Sequence, residues 1–233
     1  MMVGLRRQGL LVAVLVGLFC LPARAEMVEV APGVSVTKKT YRVQLNEAPF
    51  FNFTAKNAKQ READEKLLAF ALSKVPDRAT AARIASSRGW DYIKQGDFAT
   101  AAKRFNQAYL LDPMDSALYH GFAVVVFERF RDVDYAVELL RVAAGMNSPL
   151  DGLSADHGRV LLKAGRPADA IPLLKRGMLE APESIWPVVD LARALLETGD
   201  SDGACRIVVK ATQSHDSQMK GYIAELRRRA KCR

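Results

Sequence analysis

Two stretches of this chain match residue for residue. Leu161–Pro182 (LLKAGRPADAIPLLKRGMLEAP) lies on Tyr92–Pro113 (YIKQGDFATAAKRFNQAYLLDP) without a gap. Gly165 falls on Gly96, Ala170 on Ala101, Leu174 on Phe105 and Pro182 on Pro113. In the first stretch Trp90 and Ile93, then Phe98, Ala101, Ala102, Phe105, Ala108 and Tyr109, follow helical spacing, broken once at Gly96-Asp97. Gly96 can take the left-handed conformation that ends one helix. Asp97 can accept from free backbone N–H groups and start the next, and Pro113 closes the unit because it cannot extend a helix. A lone hairpin of this size cannot bury its apolar face, so the chain must stack several.

Two further copies complete the series. One is Leu191, Ala192, Leu195, Gly199, Asp200, Ala204, Val208 and Ala211. The other, weaker, is Tyr119, Phe122, Ala123, Val126, Ala136, Leu140 and Ala143; it needs one inserted residue near Arg131-Asp132 and lacks the turn glycine. These offsets resemble the tetratricopeptide repeat, a helix–turn–helix unit of about 34 residues. That family has a small residue at repeat position eight, here Gly89, Ala123, Gly158 and Ala192, and another at position twenty, here Ala101, Ala136, Ala170 and Ala204. Small side chains let paired helices approach, while larger ones such as Phe105 and Leu174 fill the neighbouring helix's holes. Arg88 stands where the pattern has leucine, and only the second copy has an aromatic, Tyr119, at position four. The resemblance implies an all-α solenoid of tetratricopeptide hairpins, about four repeats (82–115, 116–150, 151–184 and 185–217) with capping helices, preceded by a short extended N-terminal arm.

The ends differ from the repeats. Residues 1–25 look like a secretory signal peptide: Arg6-Arg7, an uncharged apolar run Gly9–Leu21, then Ala23-Arg24-Ala25, predicting a cut after Ala25 and a periplasmic or secreted protein. No second long apolar run follows, so no stable membrane insertion is expected after cleavage. Phe19 before Cys20 is too bulky for a lipoprotein signal. Residues 26–56 are rich in β-branched residues and read as an extended arm with one strand, the alternative being a poorly ordered tail. Its Pro49–Phe53 cluster is expected to dock on the first helix as a cap, or alternatively to be an exposed partner-binding hook. Lys56–Val75 is helical in pattern and makes 57–81 a capping helix or degenerate half repeat. Residues 218–233 form a final capping helix whose Arg227-Arg228-Arg229 and Lys231 suit a solvated outer face, or an acidic partner.

Of 34 basic residues, three lie in the signal segment, leaving 31 against 26 acidic ones, a mild excess that does not indicate nucleic acid. The three cysteines and the scattered His120, His157 and His215 show no metal-ligand spacing, no nucleotide or hydrolase motif is present, and no cofactor is implied. Asp156-His157 resembles an acid–base pair, but neighbours on a helix point about 100° apart, favouring a structural histidine.

The resemblance implies a concave binding surface lined by the first helix of each repeat. At its groove positions the chain places Arg83, Trp90, Lys94, His120, Arg159, Lys163 and Arg193, candidates for holding a protein or peptide partner. Ile93 and Phe127 are expected to pack between repeats instead. The lysine–asparagine carboxylate clamp of chaperone-binding relatives is missing, with Ser86, His120, Ala155 and Val189 at that position. If the last helix runs back along the last repeat, Cys205 and Cys232 meet; the alternative is two free thiols. The expected function is a non-catalytic scaffold. The alternative is an assembly subunit of an envelope complex that docks through its arm or basic tail.

Overall fold

The computed structural model describes residues 26–210 and 217–232. The signal peptide expected over 1–25 lies outside the described residues. A β-hairpin, β1 (Met27–Ala31) and β2 (Val34–Thr37), precedes ten helices among the described residues. These are α1 (Ala58–Leu72), α2 (Arg78–Lys94), α3 (Phe98–Leu111), α4 (Ser116–Val125), α5 (Val133–Gly145), α6 (Leu153–Lys163), α7 (Pro167–Glu180), α8 (Trp186–Glu197), α9 (Ser201–Lys210) and α10 (Ser217–Ala230). The pairs α2/α3, α4/α5, α6/α7 and α8/α9 are the four hairpins, each packed on the next. Neighbouring first helices, α2 with α4 and α6 with α8, approach each other more closely than neighbouring second helices do. The solenoid therefore curves with its first helices on the inner face.

The turns are set locally. Gly96, Gly165 and Gly199 all have positive φ (75°, 73° and 88°). After the first, Gly96 N–H donates to Ile93 O (2.9 Å) and Asp97 N–H to Tyr92 O (3.0 Å), and the same pair of bonds recurs at Gly165 and Gly199. This pattern satisfies carbonyls that a helix end leaves open. Asp97 Oδ1 then accepts from Thr100 N–H at 3.0 Å and caps α3. In the second repeat, which lacks the glycine, α4 runs into a π-helical turn, Val126–Phe130, that absorbs the extra residue. Arg131, at φ 57°, takes the left-handed place instead.

Packing follows the small-residue positions. Phe105 is fully buried, and its ring lies against the Cα atoms of Gly89 on α2 and Gly121 on α4: an added Cβ would meet it at 2.6 Å and 2.1 Å. One ring thus keys the first repeat into the second.

The N-terminal arm departs from expectation. It forms two strands rather than one, paired antiparallel with Val28 opposite Val36. It docks neither on α1 nor as a free hook. Phe50 is buried and packs on Tyr109, Tyr119 and Phe122, between the first two repeats. The buried Asn106 side chain accepts from Phe51 N–H (2.9 Å) and donates to Asn46 O (3.0 Å) and Ala48 O (2.7 Å). Tyr41 stacks on Phe130 with ring centroids 3.8 Å apart, Tyr109 OH donates to Val30 O at 2.7 Å, and Glu47 pairs with Arg129 and Lys103. These anchors hold Phe50, Phe51, Asn52 and Phe53 in a left-handed turn (φ 50–58°). That conformation costs about 1–2 kcal/mol per residue and persists only where surrounding contacts dictate it. Sequence pattern does not place the arm, because its partners lie 55 to 101 residues away.

At the other end α10 lies on α8 and α9, burying Met219, Ile223, Leu226 and Ala230. Cys205 and Cys232 are joined by a disulfide, with Cα atoms 5.5 Å apart.

Candidate functional site

The inner face carries two clefts. The first, about 510 Å³, is bordered by Arg83, Trp90 and Lys94 with Ser86, Asp91 and Asp115. The second, about 530 Å³, gathers Arg159, Lys163 and Arg193 around Glu128, Trp186, Asp190, Met219 and Tyr222. The seven candidate groove residues thus divide into two groups, and one of them joins neither.

That one is His120. It is 2% exposed, not a groove or surface residue. Its Nε2–H donates to Asp156 Oδ2 at 2.9 Å, and its ring meets Trp90 edge-on at 4.6 Å. Trp90 is itself half-buried, its indole also against Phe105. The side chain singled out as an aromatic contact is therefore largely a packing residue. Trp90 Nε1 and His120 Nδ1 are both buried without a partner among the described residues.

The second cleft is floored by a charge chain. Asp156 Oδ1 accepts from Arg159 at 3.0 Å, and Arg159 Nε donates to Asp190 Oδ2 at 2.8 Å. The chain His120–Asp156–Arg159–Asp190 links α4, α6 and α8. Burial pushes the Asp156 carboxyl up, but the His120 hydrogen bond and the charges of Arg159 and Lys163 outweigh it and hold it below the usual carboxylate range. Burial works against the Arg159 charge, yet Asp156 and Asp190 keep its pKa above the ordinary value. Lys163 pairs with Glu128 (2.9 Å) and Arg193 with Glu197 (2.7 Å). The guanidinium of Arg159 lies 5.4 Å from the Trp186 ring, and Trp186 is 53% exposed. In the first cleft Arg83 bonds Thr80 Oγ1 and Lys94 pairs with Asp91, both near the rim and exposed.

Asp190, and Asp156 other than as a partner of His157, are not among the sequence candidates, although the two occupy the same position of consecutive repeats, each three residues before a groove arginine. His157 does not pair with Asp156. Burial first, then the charges of Arg141 and Arg166, push its pKa down to about 4, so it is a neutral core residue. Among the described residues no group of three or more His, Cys, Asp or Glu side chains is placed to hold a metal, and no helix is long and apolar enough to cross a membrane.

A search of the curated proteins finds no match. Among solved structures the chain resembles YrrB, described as a TPR protein with an unusual peptide-binding site, at TM-score 0.47 and 18% identity, over 76% of this chain and 92% of that one. Residues 161–226 match the family model of the tetratricopeptide repeat. Its span runs from the end of α6 into α10 and takes in the second cleft's Lys163, Trp186, Asp190 and Arg193. The match is confined to residues 161–226, and the hairpins before them build the same kind of helical solenoid.

Proposed function

We propose that this chain is a non-catalytic scaffold, exported to the periplasm or beyond, that holds a peptide or protein partner on its inner face, chiefly in the cleft between α6, α8 and α10. The observation that carries this reading is Trp186: a large aromatic ring, half-exposed, set over an arginine that its own carboxylates hold in place. A preorganised aromatic–arginine pair costs little to order on binding and is the type of group that dominates interface energetics. Arg193, Lys163 and Tyr222 around it offer donors to carbonyls or carboxylates of an extended segment. Export is supported by the signal-like residues 1–25 and by the Cys205–Cys232 disulfide, a bond suited to an oxidising compartment.

The test is site-specific photocrosslinking in cells from position 186, with position 179 on α7 as the reference, since Leu179 is 83% exposed on an outer helix. A discrete adduct from position 186 that is lacking from position 179 is expected. Equal labelling from both positions would rule the cleft out.

A second reading, docking of an assembly subunit through its basic tail, has one observation in its favour. Residues 201–233 hold eight basic and three acidic side chains, net +5, whereas residues 26–200 balance at 23 of each. The excess charge of the chain beyond the signal segment therefore sits entirely in residues 201–233. Docking through the arm is not favoured, because the arm's apolar residues are spent on the chain's own repeats.

A further inference from the structure

The solenoid has a second open apolar surface, outside the inner face. A groove of about 470 Å³ runs between α1 on one side and α2 and α3 on the other. Its walls include Leu67 and Phe70 of α1, Ile84 and Ala85 of α2, and Leu111 of α3. Phe70 is 67% exposed and Ile84 41%. The groove exists because α1 is barely attached. None of its 15 residues is buried, and it touches α2 and α3 only lightly, while α2 and α3 are closely packed on each other. Within a solenoid the face that α2 and α3 present here would be covered by another hairpin. α1 stands in for one helix of that hairpin, and no second helix lies there among the described residues. The arm does not supply it, since the arm is docked at Asn106, Tyr109 and Phe122.

The rim of the groove has one sign. Its lining includes Lys74, Arg88 and Arg104 and no carboxylate. None of the three is ion-paired among the described residues: Lys74 lies 5.5 Å from the Phe70 ring, Arg104 bonds only Gln107, with its Nε buried and unpartnered, and Arg88 is exposed. Cations flanking an apolar floor call for a ligand that is apolar on one stripe and acidic beside it. The walls are helices whose backbone groups are already bonded, so an added strand would find no edge to pair with. A helix brings its own backbone hydrogen bonds and can lay an apolar stripe in the groove.

We propose that this groove is a docking site for an amphipathic helix of a partner protein, with carboxylates along both edges of its apolar stripe, which completes the unfinished hairpin at the N-terminal end of the solenoid. The groove runs along Leu67–Val75, so about two to three turns of the helix seat in it. The site is separate from the inner-face clefts and does not depend on them.

The test uses the chain from Glu26 onward and two synthetic 16-residue helical peptides of roughly four turns. Both have the same leucine stripe, flanked by glutamates in one and by lysines in the other, and both are read by fluorescence anisotropy. With three rim charges at the strength of surface pairs, the glutamate peptide should bind about five- to tenfold tighter than the lysine peptide, and the preference should fade in salt. Ile84→Glu, at an exposed position, should abolish binding while leaving the thermal transition in place. Arg88→Glu should shift the preference toward the lysine peptide, an inversion that a merely destabilised protein would not show. Trp186→Ala should leave binding unchanged. Equal affinity for both peptides, no binding of either, or loss on Trp186→Ala would overturn the proposal. So would a concentration-dependent dimer that Ile84→Glu dissolves, because the occupant would then be a second copy.

Discussion

The two end helices are of nearly the same length and do opposite things. α10 buries residues at every turn of one face and is tied to α9 by a disulfide. α1 buries none, and its apolar side chains stay half-open. A solenoid needs each terminal face covered. The C-terminal face is covered by a packed, cross-linked helix. The N-terminal hairpin is secured instead from the outer side, by an arm that keys Phe50 between repeats. Stability and openness are therefore separated at the N-terminal end: the arm holds the first two repeats together while the groove beside α1 remains free.

The largest effects should come from the residues that secure each end. Phe50→Ala removes the aromatic key of the arm and should cost about 3–5 kcal/mol, and Leu226→Ala in α10 about 2–5 kcal/mol, both measured by chemical denaturation. If Phe50→Ala costs no more than a surface change, the arm is not what secures the N-terminal repeats. Next, Cys232→Ser opens a loop of 27 residues and should lower stability by about 3–4 kcal/mol on the chain-entropy view. Hydrogen exchange should speed up in α10 and leave α2 and α3 unchanged; uniform acceleration would mean the two ends are not independent.

Acid probes the middle of the stack, away from both ends. His157 has a folded pKa of about 4 against 6.5 unfolded. Because the unfolded chain takes up its proton first, stability is full above pH 6.5 and declines as pH falls from 6.5 toward 4. The loss amounts to about 3 kcal/mol. His157→Gln should flatten the denaturation midpoint against pH across that window; an unchanged slope would place the acid sensitivity elsewhere. The smallest effect belongs to α1. Phe70→Ser, at a position 67% exposed, should change stability by no more than about 0.5 kcal/mol, and a loss comparable to that of Leu226→Ala would show that α1 is a true cap.

What was legible in the sequence was whatever is encoded within one hairpin. Gly96, Asp97 and the alanines at 101 and 170 act on neighbours a few residues away, so their roles could be read from spacing alone. Even the inserted residue near Arg131 was visible as a misfit, although its accommodation by a π turn was not. The sequence does not place the arm, because its fit depends on single distant side chains, such as Asn106 and Tyr109, that carry no mark of this use. His120 was assigned to the groove from repeat position. In the structure its direction is set by Trp90 from the repeat before and Asp156 from the repeat after. A signal for that network was present in the two aspartates recurring one repeat apart beside Arg159 and Arg193. The looseness of α1 is a tertiary property, and its helical pattern alone could not distinguish a cap from an open flank.

The left-handed turn at Pro49–Phe53 also bears on the order of events when the chain is made. A growing chain presents its N-terminal residues first. Phe50, Phe51 and Asn52 have no reason to adopt this conformation by themselves, and their partners Asn106, Tyr109, Tyr119 and Phe122 follow about two repeats later. Closing so long a loop pays only after both hairpins exist. The arm is thus made before the two repeats it joins, and its seating marks their completion.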